Sequence, residues 1–307
     1  MSGGADSATT TLLLPPRHRL AGPLSPRTAL ALGRADRHDD GAPGEQAQLG
    51  RHVELLPRGW PLAAITRALD ADDAPLHAWL RADPTHVRPD MTGARVLAIG
   101  RLGLTQAEAD ALVAALRTTF GDAGFLLSAP HPERWYVALP REARLPAFAS
   151  PEDVLGDDLA AHLPDGPDGR RWRALLNEAQ IVLHNHPVNA GRAANGRATV
   201  NSLTFWGGGR LPDQVRMPVR SVCSGAADLR ALAKLAGVDT ATEGPGPALA
   251  DHRALRDAAA FDTLLGASLD ALPRDGSLRL DFADGARFVL RRSQRLRFWR
   301  RPLAALS

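Results

Sequence analysis

Cysteine, lysine and tyrosine are almost missing: Cys223, Lys234 and Tyr136 are the only ones in 307 residues. A single cysteine excludes an internal disulfide and fits a reducing compartment. No apolar run approaches the roughly 18 residues needed to span a bilayer. The start of the chain has no charged segment followed by a long apolar one, since Leu12-Leu13-Leu14 is too short. These absences lead us to expect a cytoplasmic protein with no membrane partner. The lack of lysine also removes a phosphate-binding loop, because no Gly-Lys-Ser/Thr follows the glycines at 207–209. Basic charge is therefore almost wholly arginine, at a net charge of +3 and a pI near 9.9. That balance fits anionic partners or simply an arginine-rich coding bias. The acidic residues are interspersed, so no broad basic face for nucleic acid is expected.

Apolar content of 44% is ordinary and supports a sizeable core. Residues 1–50 are rich in Gly, Ala, Ser, Pro and Asp, and read as a largely flexible segment in which Thr10–Leu14 could form an edge strand. Residues 51–307 read as a single α/β domain, with a possible sub-boundary in the Gly/Pro-rich stretch at 240–250. Residues 74–81 read as a helix and Ala94–Ile99 as a strand. Thr105 with Glu108 forms a capping box for a helix reaching Phe120, and the runs at 125–127 and 135–139 read as a hairpin. Further helices are expected over 152–162, 170–178, 226–236 and 252–272. Residues 277–282 and 286–291 alternate around Ala283-Asp284-Gly285, giving a C-terminal β-hairpin. Together these elements describe an α+β mixed sheet with helices packed on it.

Polar chemistry concentrates between 177 and 209. Ile181-Val182-Leu183 reads as a short buried strand, which would put His184-Asn185-His186-Pro187 at a strand end. Asn189, Arg192, Asn201 and Trp206 follow within about twenty residues. Imidazoles, carboxamides and guanidiniums together suit an anionic, hydroxylated small molecule, so His184, His186, Asn189, Arg192, Asn201 and Trp206 are the expected ligand-binding residues. His184 and His186 are also weak metal candidates, because alternate residues of a strand share a face; Asp83, Asp90 or Glu178 would have to complete the site. The glycines at 207–209 would let a ligand approach the backbone, or make a tight turn. The Arg-rich segment around Phe298-Trp299 reads as a charged edge or tail.

Two resemblances follow. Arg81-Ala82-Asp83-Pro84, Val87-Arg88-Pro89-Asp90, Gly121–Phe125, Arg134-Trp135-Tyr136, Leu175–Glu178, His184–Pro187 and Val200-Asn201-Ser202 resemble the RpfE-type regulatory proteins of bacteria over about residues 50–240. More narrowly, His186–Asn189, Arg192, Gly196, Asn201, Phe205–Gly209 and Pro212 look like the middle of the archaeal-type cofactor-independent phosphoglycerate mutases, over about 184–240. The mutase resemblance implies a two-metal centre (manganese or zinc) with a serine nucleophile, yet the opening Asp-Gly-x-x-Asp is missing; Asp251-His252 echoes an Asp-His metal pair but reads as a helix start. The His-x-His-Pro string also looks like that of zinc isopeptidases, but Ala194 and Arg197 stand where that family has Ser and Asp. The expectation is a regulatory protein whose mutase-like pocket binds a small phosphorylated or carboxylated metabolite without a cofactor. The alternatives are an active, metal-dependent phosphoglycerate mutase and a non-catalytic module with a protein partner.

Overall fold

The protein is described by a computed structural model covering residues 9–90, 93–241, 248–303 and 305–306. In chain order its elements are β1 (Thr9–Leu14), α1 (Pro26–Arg34), β2 (Asp36–His38), α2 (Glu45–Gly50), β3 (Glu54–Leu56), α3 (Leu62–Asp70), β4 (Ala78–Asp90), β5 (Gly93–Ile99), α4 (Gln106–Asp122), β6 (Leu126–His131) and β7 (Arg134–Leu139). They continue with α5 (Pro151–Val154), α6 (Gly166–His184), α7 (Pro187–Ala194), β8 (Ser202–Arg210), β9 (Gln214–Arg216), β10 (Ser221–Cys223), α8 (Ala227–Ala236), β11 (Asp239–Ala241), β12 (Leu249–Asp251), α9 (Ala258–Ala271), β13 (Ser277–Phe282) and β14 (Arg287–Arg291). The chain is thus mixed α/β. Among the described residues no helix is long and apolar enough to cross a membrane.

Contacts divide the chain into two units. The first takes the chain up to Arg58 and from Gln214 onward. Its sheet runs β11-β10-β12-β1-β13-β14-β2. The five strands from β11 to β13 are parallel; β14 and then β2 are each antiparallel to the neighbour before them. A central parallel strand is covered on both faces and needs a continuous apolar run. Leu12-Leu13-Leu14 supplies it, and all three are buried. Leu32 of α1 and Phe261 and Leu265 of α9 join Leu278, Leu280 and Phe282 in one core.

The second unit is continuous, Gly59–Asp213. Its centre is the 13-residue β4, which pairs with β8 along one edge and with β7 and then β5 along the other; β6 extends the sheet beyond β7. Helices α4 and α6 give Leu112, Leu116, Phe120, Leu175, Leu176 and Leu183 to a core with Trp135, Val137 and Leu203. The Thr105–Glu108 capping box opens α4, and Phe125 stacks on Trp172 at 5.1 Å.

Several expectations change. Residues 9–50, read as largely flexible with at most an edge strand, contain the central strand of the first sheet and two helices, because β1 finds its partners at residues 249–251 and 277–282. The single domain over 51–307 becomes two units with boundaries at 58/59 and 213/214, while 242–247 of the expected sub-boundary lie outside the described residues. Residues 78–81 are strand, not helix: flanked by β7 and β8 and buried throughout, they follow sheet pairing over local propensity. Ile181-Val182-Leu183 is the last turn of α6 rather than a strand, with Ile181 65% exposed. Residues 252–257 precede α9 instead of opening it. Helix α4, both hairpins and α8, capped by Gly237 at φ 65°, form where the sequence puts them.

Candidate functional site

Because 181–183 is helical, His184 and His186 do not alternate along a strand. His184 is the exposed last residue of α6. His186 is the N-cap of α7, its Nδ1 accepting the Val188 N–H at 3.2 Å. Pro187 follows at the first helical position, where no N–H is needed. Helix α7 then presents Asn189 and Arg192 inward, both nearly fully buried. Asn189 Nδ2 donates to the Leu183 and Val200 carbonyls at 2.7 Å, and its Oδ1 accepts the Val200 N–H at 2.8 Å. Arg192 donates to the Ala198 carbonyl at 2.8 Å, to the Leu102 carbonyl at 2.6 Å and to both Glu108 oxygens at 3.1 Å. Asn201 pairs with both the N–H and the carbonyl of Val87 at 2.8 Å. Trp206 donates to Asp83 Oδ2 at 2.8 Å, within a buried network where Arg81 forms a two-pronged pair with the same carboxylate.

The six expected ligand contacts therefore serve local tasks: two helix ends, two clasps on the loop at 198–200, one strand clasp and one buried ion-pair network. The glycines at 207–209 are explained by close packing of β8. A Cβ on Gly208 would meet Leu145 Cδ1 at 2.5 Å, and one on Gly209 would meet Pro61 Cβ at 2.7 Å.

The first unit has a second concentration of charge, at the carboxyl ends of its parallel strands, where open α/β sheets place their ligands. Strand β10 ends next to Ser224, and β12 ends at Asp251 with His252 and Arg253 following. Arg253 is 7% exposed and lies among three carboxylates. It bonds Asp251 at 2.8 and 2.9 Å, and Asp228 and Glu45 at 3.2 Å. Ser224 Oγ donates to Asp251 at 2.7 Å. Burial works against the guanidinium's charge, yet Asp251 and Asp228 hold its pKa above the ordinary arginine value. Burial pulls His252 below the usual imidazole range. Two strands over from β12, across β1, the fully buried Asp281 accepts from Arg51 and from His52, whose Nε2 lies 2.7 Å away.

Burial alone would raise the carboxyls of Asp251 and Asp281. Arg253 and Ser224 in one case, and His52 and Arg51 in the other, hold both below the usual carboxylate range. A depressed carboxylate stabilises the fold above its unfolded pKa, and that stabilisation is lost as pH falls through the native value. Denaturant unfolding followed across pH should therefore show a gentle loss below the ordinary imidazole range, from His252, and then a steep acid limb starting in the ordinary carboxylate range. Asp281→Asn should lower the neutral plateau and flatten that limb. An unchanged acid slope in Asp281→Asn would remove Asp281 from the account.

The two-metal centre that the mutase resemblance implies can be tested against these donors. Among the described residues no group of three or more His, Cys, Asp or Glu is placed to hold a metal ion. The carboxylates that come nearest, Asp251, Asp228 and Glu45, are already gathered on a guanidinium. The residues present do not fit the metals, because an internal cation holds the centre. Ser224, Asp228, Arg253 and Glu45 were not singled out from sequence. The signal was there: a short β-branched strand followed by Ser224-Gly225, and an apolar pair followed by Asp251-His252-Arg253, both mark parallel-strand ends.

No family model matches the chain. Curated relatives match part of it. A "Probable 2,3-bisphosphoglycerate-independent phosphoglycerate mutase" of Geobacter sulfurreducens is 39% identical over 62 residues, 20% of this chain and 16% of the relative. A 2,3-bisphosphoglycerate-independent phosphoglycerate mutase of Methanosarcina mazei is 37% identical over the same length and shares of each chain. A second such mutase of Methanothermobacter thermautotrophicus is 29% identical over 139 residues, 43% of this chain and 35% of the relative. The chain thus matches well under half the length of these relatives, and over that part it is phosphoglycerate mutase-like. Two solved structures align over 92% of the chain: a cofactor-independent phosphoglycerate mutase from Thermoplasma acidophilum (TM-score 0.40, 16% identity, 89% of that chain) and the PH0037 protein from Pyrococcus horikoshii (TM-score 0.45, 13% identity, 87% of that chain).

Proposed function

We propose that this chain is a non-catalytic regulatory protein of the RpfE type, with a phosphoglycerate mutase-like stretch and a small phosphorylated or carboxylated metabolite as its ligand. The observation that carries the non-catalytic part is Arg253. A mutase of the metal-dependent kind needs two divalent cations to clamp the attacking and leaving oxygens. Here one guanidinium takes the central place among Asp251, Asp228 and Glu45, and Ser224 is buried and hydrogen-bonded to Asp251 rather than open to a substrate. A metal ion entering this cluster would have to displace a buried, multiply bonded arginine. The relatives' names supply the ligand class, since they describe proteins that act on phosphoglycerates.

The test uses the metal-stripped full chain. We expect no interconversion of 2- and 3-phosphoglycerate with or without manganese, and no manganese-dependent rise in melting temperature. Arg253→Gln should melt lower at neutral pH, and its deficit should shrink as the pH falls and the three carboxylates take up protons. Manganese-dependent mutase turnover by the wild-type chain would overturn the non-catalytic reading.

A further inference from the structure

The metabolite reading leaves the ligand's place open, because the arginines and asparagines of residues 189–201 are spent on the chain itself. Within the second unit, one cleft of about 280 Å³ has guanidinium capacity left over. Phe125 and Trp172, stacked at 5.1 Å, and Leu139 supply its apolar lining. Arg144 and Arg171 supply its charge, and among the described residues no acidic side chain lines it. The nearby Glu142 faces Arg210 at 3.9 Å. Arg171 lies over the Phe125 ring, 4.6 Å from its centroid, and one of its amino groups donates to the Ala123 carbonyl. Its other donors have no partner among the described residues. Arg144 is exposed and makes no hydrogen bond or ion pair with the described residues. Leu145 beside it is anchored, because its methyl group sits where a side chain on Gly208 would be.

We infer that this cleft is a binding site for a small carboxylate with a planar apolar body. The apolar lining would take the body, and the Arg144 fork would take the carboxylate with Arg171 as its neighbour. The volume lies at the low end for ligand pockets, which favours a ligand of about ten heavy atoms over a nucleotide. A planar guanidinium pairs with a carboxylate through two parallel bonds, a geometry that a neutral amide of the same shape cannot reproduce.

The inference rests on the metabolite reading but is tested apart from the mutase question. Benzoate, its neutral isostere benzamide and inorganic phosphate are titrated into the full chain by calorimetry, with tryptophan fluorescence as a second readout. Saturable benzoate binding is expected, with benzamide weaker by about tenfold or more. Arg144→Ala should weaken benzoate to the benzamide level, and Arg144→Lys should recover only part of the loss. Arg144 makes no hydrogen bond or ion pair with the described residues, so these variants should melt with the wild type. Failure of benzoate to bind, equal binding of benzoate and benzamide, or an unchanged affinity in Arg144→Ala would each overturn the site. Phosphate binding in place of benzoate would likewise overturn the site as one for a carboxylate with an apolar body.

Discussion

Replacing Arg192 with alanine should lower the stability of the 59–213 unit by about 2–5 kcal/mol, at about 1–3 kcal/mol for each enclosed carbonyl left without a donor. The side chain is about as enclosed as any in the protein, at 2% exposure. Its guanidinium satisfies two carbonyls from distant parts of the chain, Leu102 and Ala198, and both oxygens of Glu108. Glu108 is itself the third helical residue of α4, bonded back to the Thr105 N–H at 2.8 Å. Removing Arg192 therefore strands two acceptors and loosens the start of α4 together. Arg192→Lys should recover only part of the loss, because an ammonium cannot meet three acceptors in one plane. Equilibrium unfolding in urea gives the answer. A midpoint for Arg192→Ala within error of the wild type would mean that this arginine is available for a ligand after all.

The second large effect concerns Asp83. It is buried in β4 alongside β8, accepting from Arg81 at 2.8 and 2.9 Å and from Trp206 at 2.8 Å. Burial pushes its carboxyl above the ordinary range even with Arg81 alongside. Arg81 in turn lies between the rings of Tyr136 and Trp206, at 5.2 and 5.0 Å from their centroids. Asp83→Ala should cost about 3–5 kcal/mol by leaving Arg81 charged and enclosed without a counterion. The double variant Arg81→Met, Asp83→Leu should lose much less than Asp83→Ala alone, since removing both charges also removes their desolvation cost. If the double variant loses the sum of the two single effects, Arg81 and Asp83 are not coupled.

These outcomes bear on how much could be read from the chain. Local signals carried their elements wherever one dominated: the Thr105–Glu108 box fixed α4, and Ala283-Asp284-Gly285 fixed the last hairpin. Residues 78–81 and 181–183 show the limit. Both are short and apolar enough to be helix or strand, and the deciding factor was what lay alongside them. For the site, the sequence showed that residues 184–206 are rich in hydrogen-bonding groups but not to whom those groups are bonded. Arg192 near an anionic ligand and Arg192 clamped on Glu108 have the same local sequence. Arg253 was hidden for the converse reason: its carboxylate partners stand at 45, 228 and 251, and only the sheet brings them together.

The division into two units also sets an order of events at the ribosome. Residues 59–213 form a continuous unit and can complete their sheet while the rest of the chain is still being made. Strand β1 emerges before that unit, yet it can take its central place only when residues 249–251 and 277–282 have followed it. Until then an apolar Leu12-Leu13-Leu14 stretch has no partner on either edge. Such long-range parallel pairing is slow and exposes the nascent chain to aggregation. Yield in the cell should therefore depend on holdase chaperones that shield the early segment, and a circular permutant that begins at Gly59 would shorten the wait.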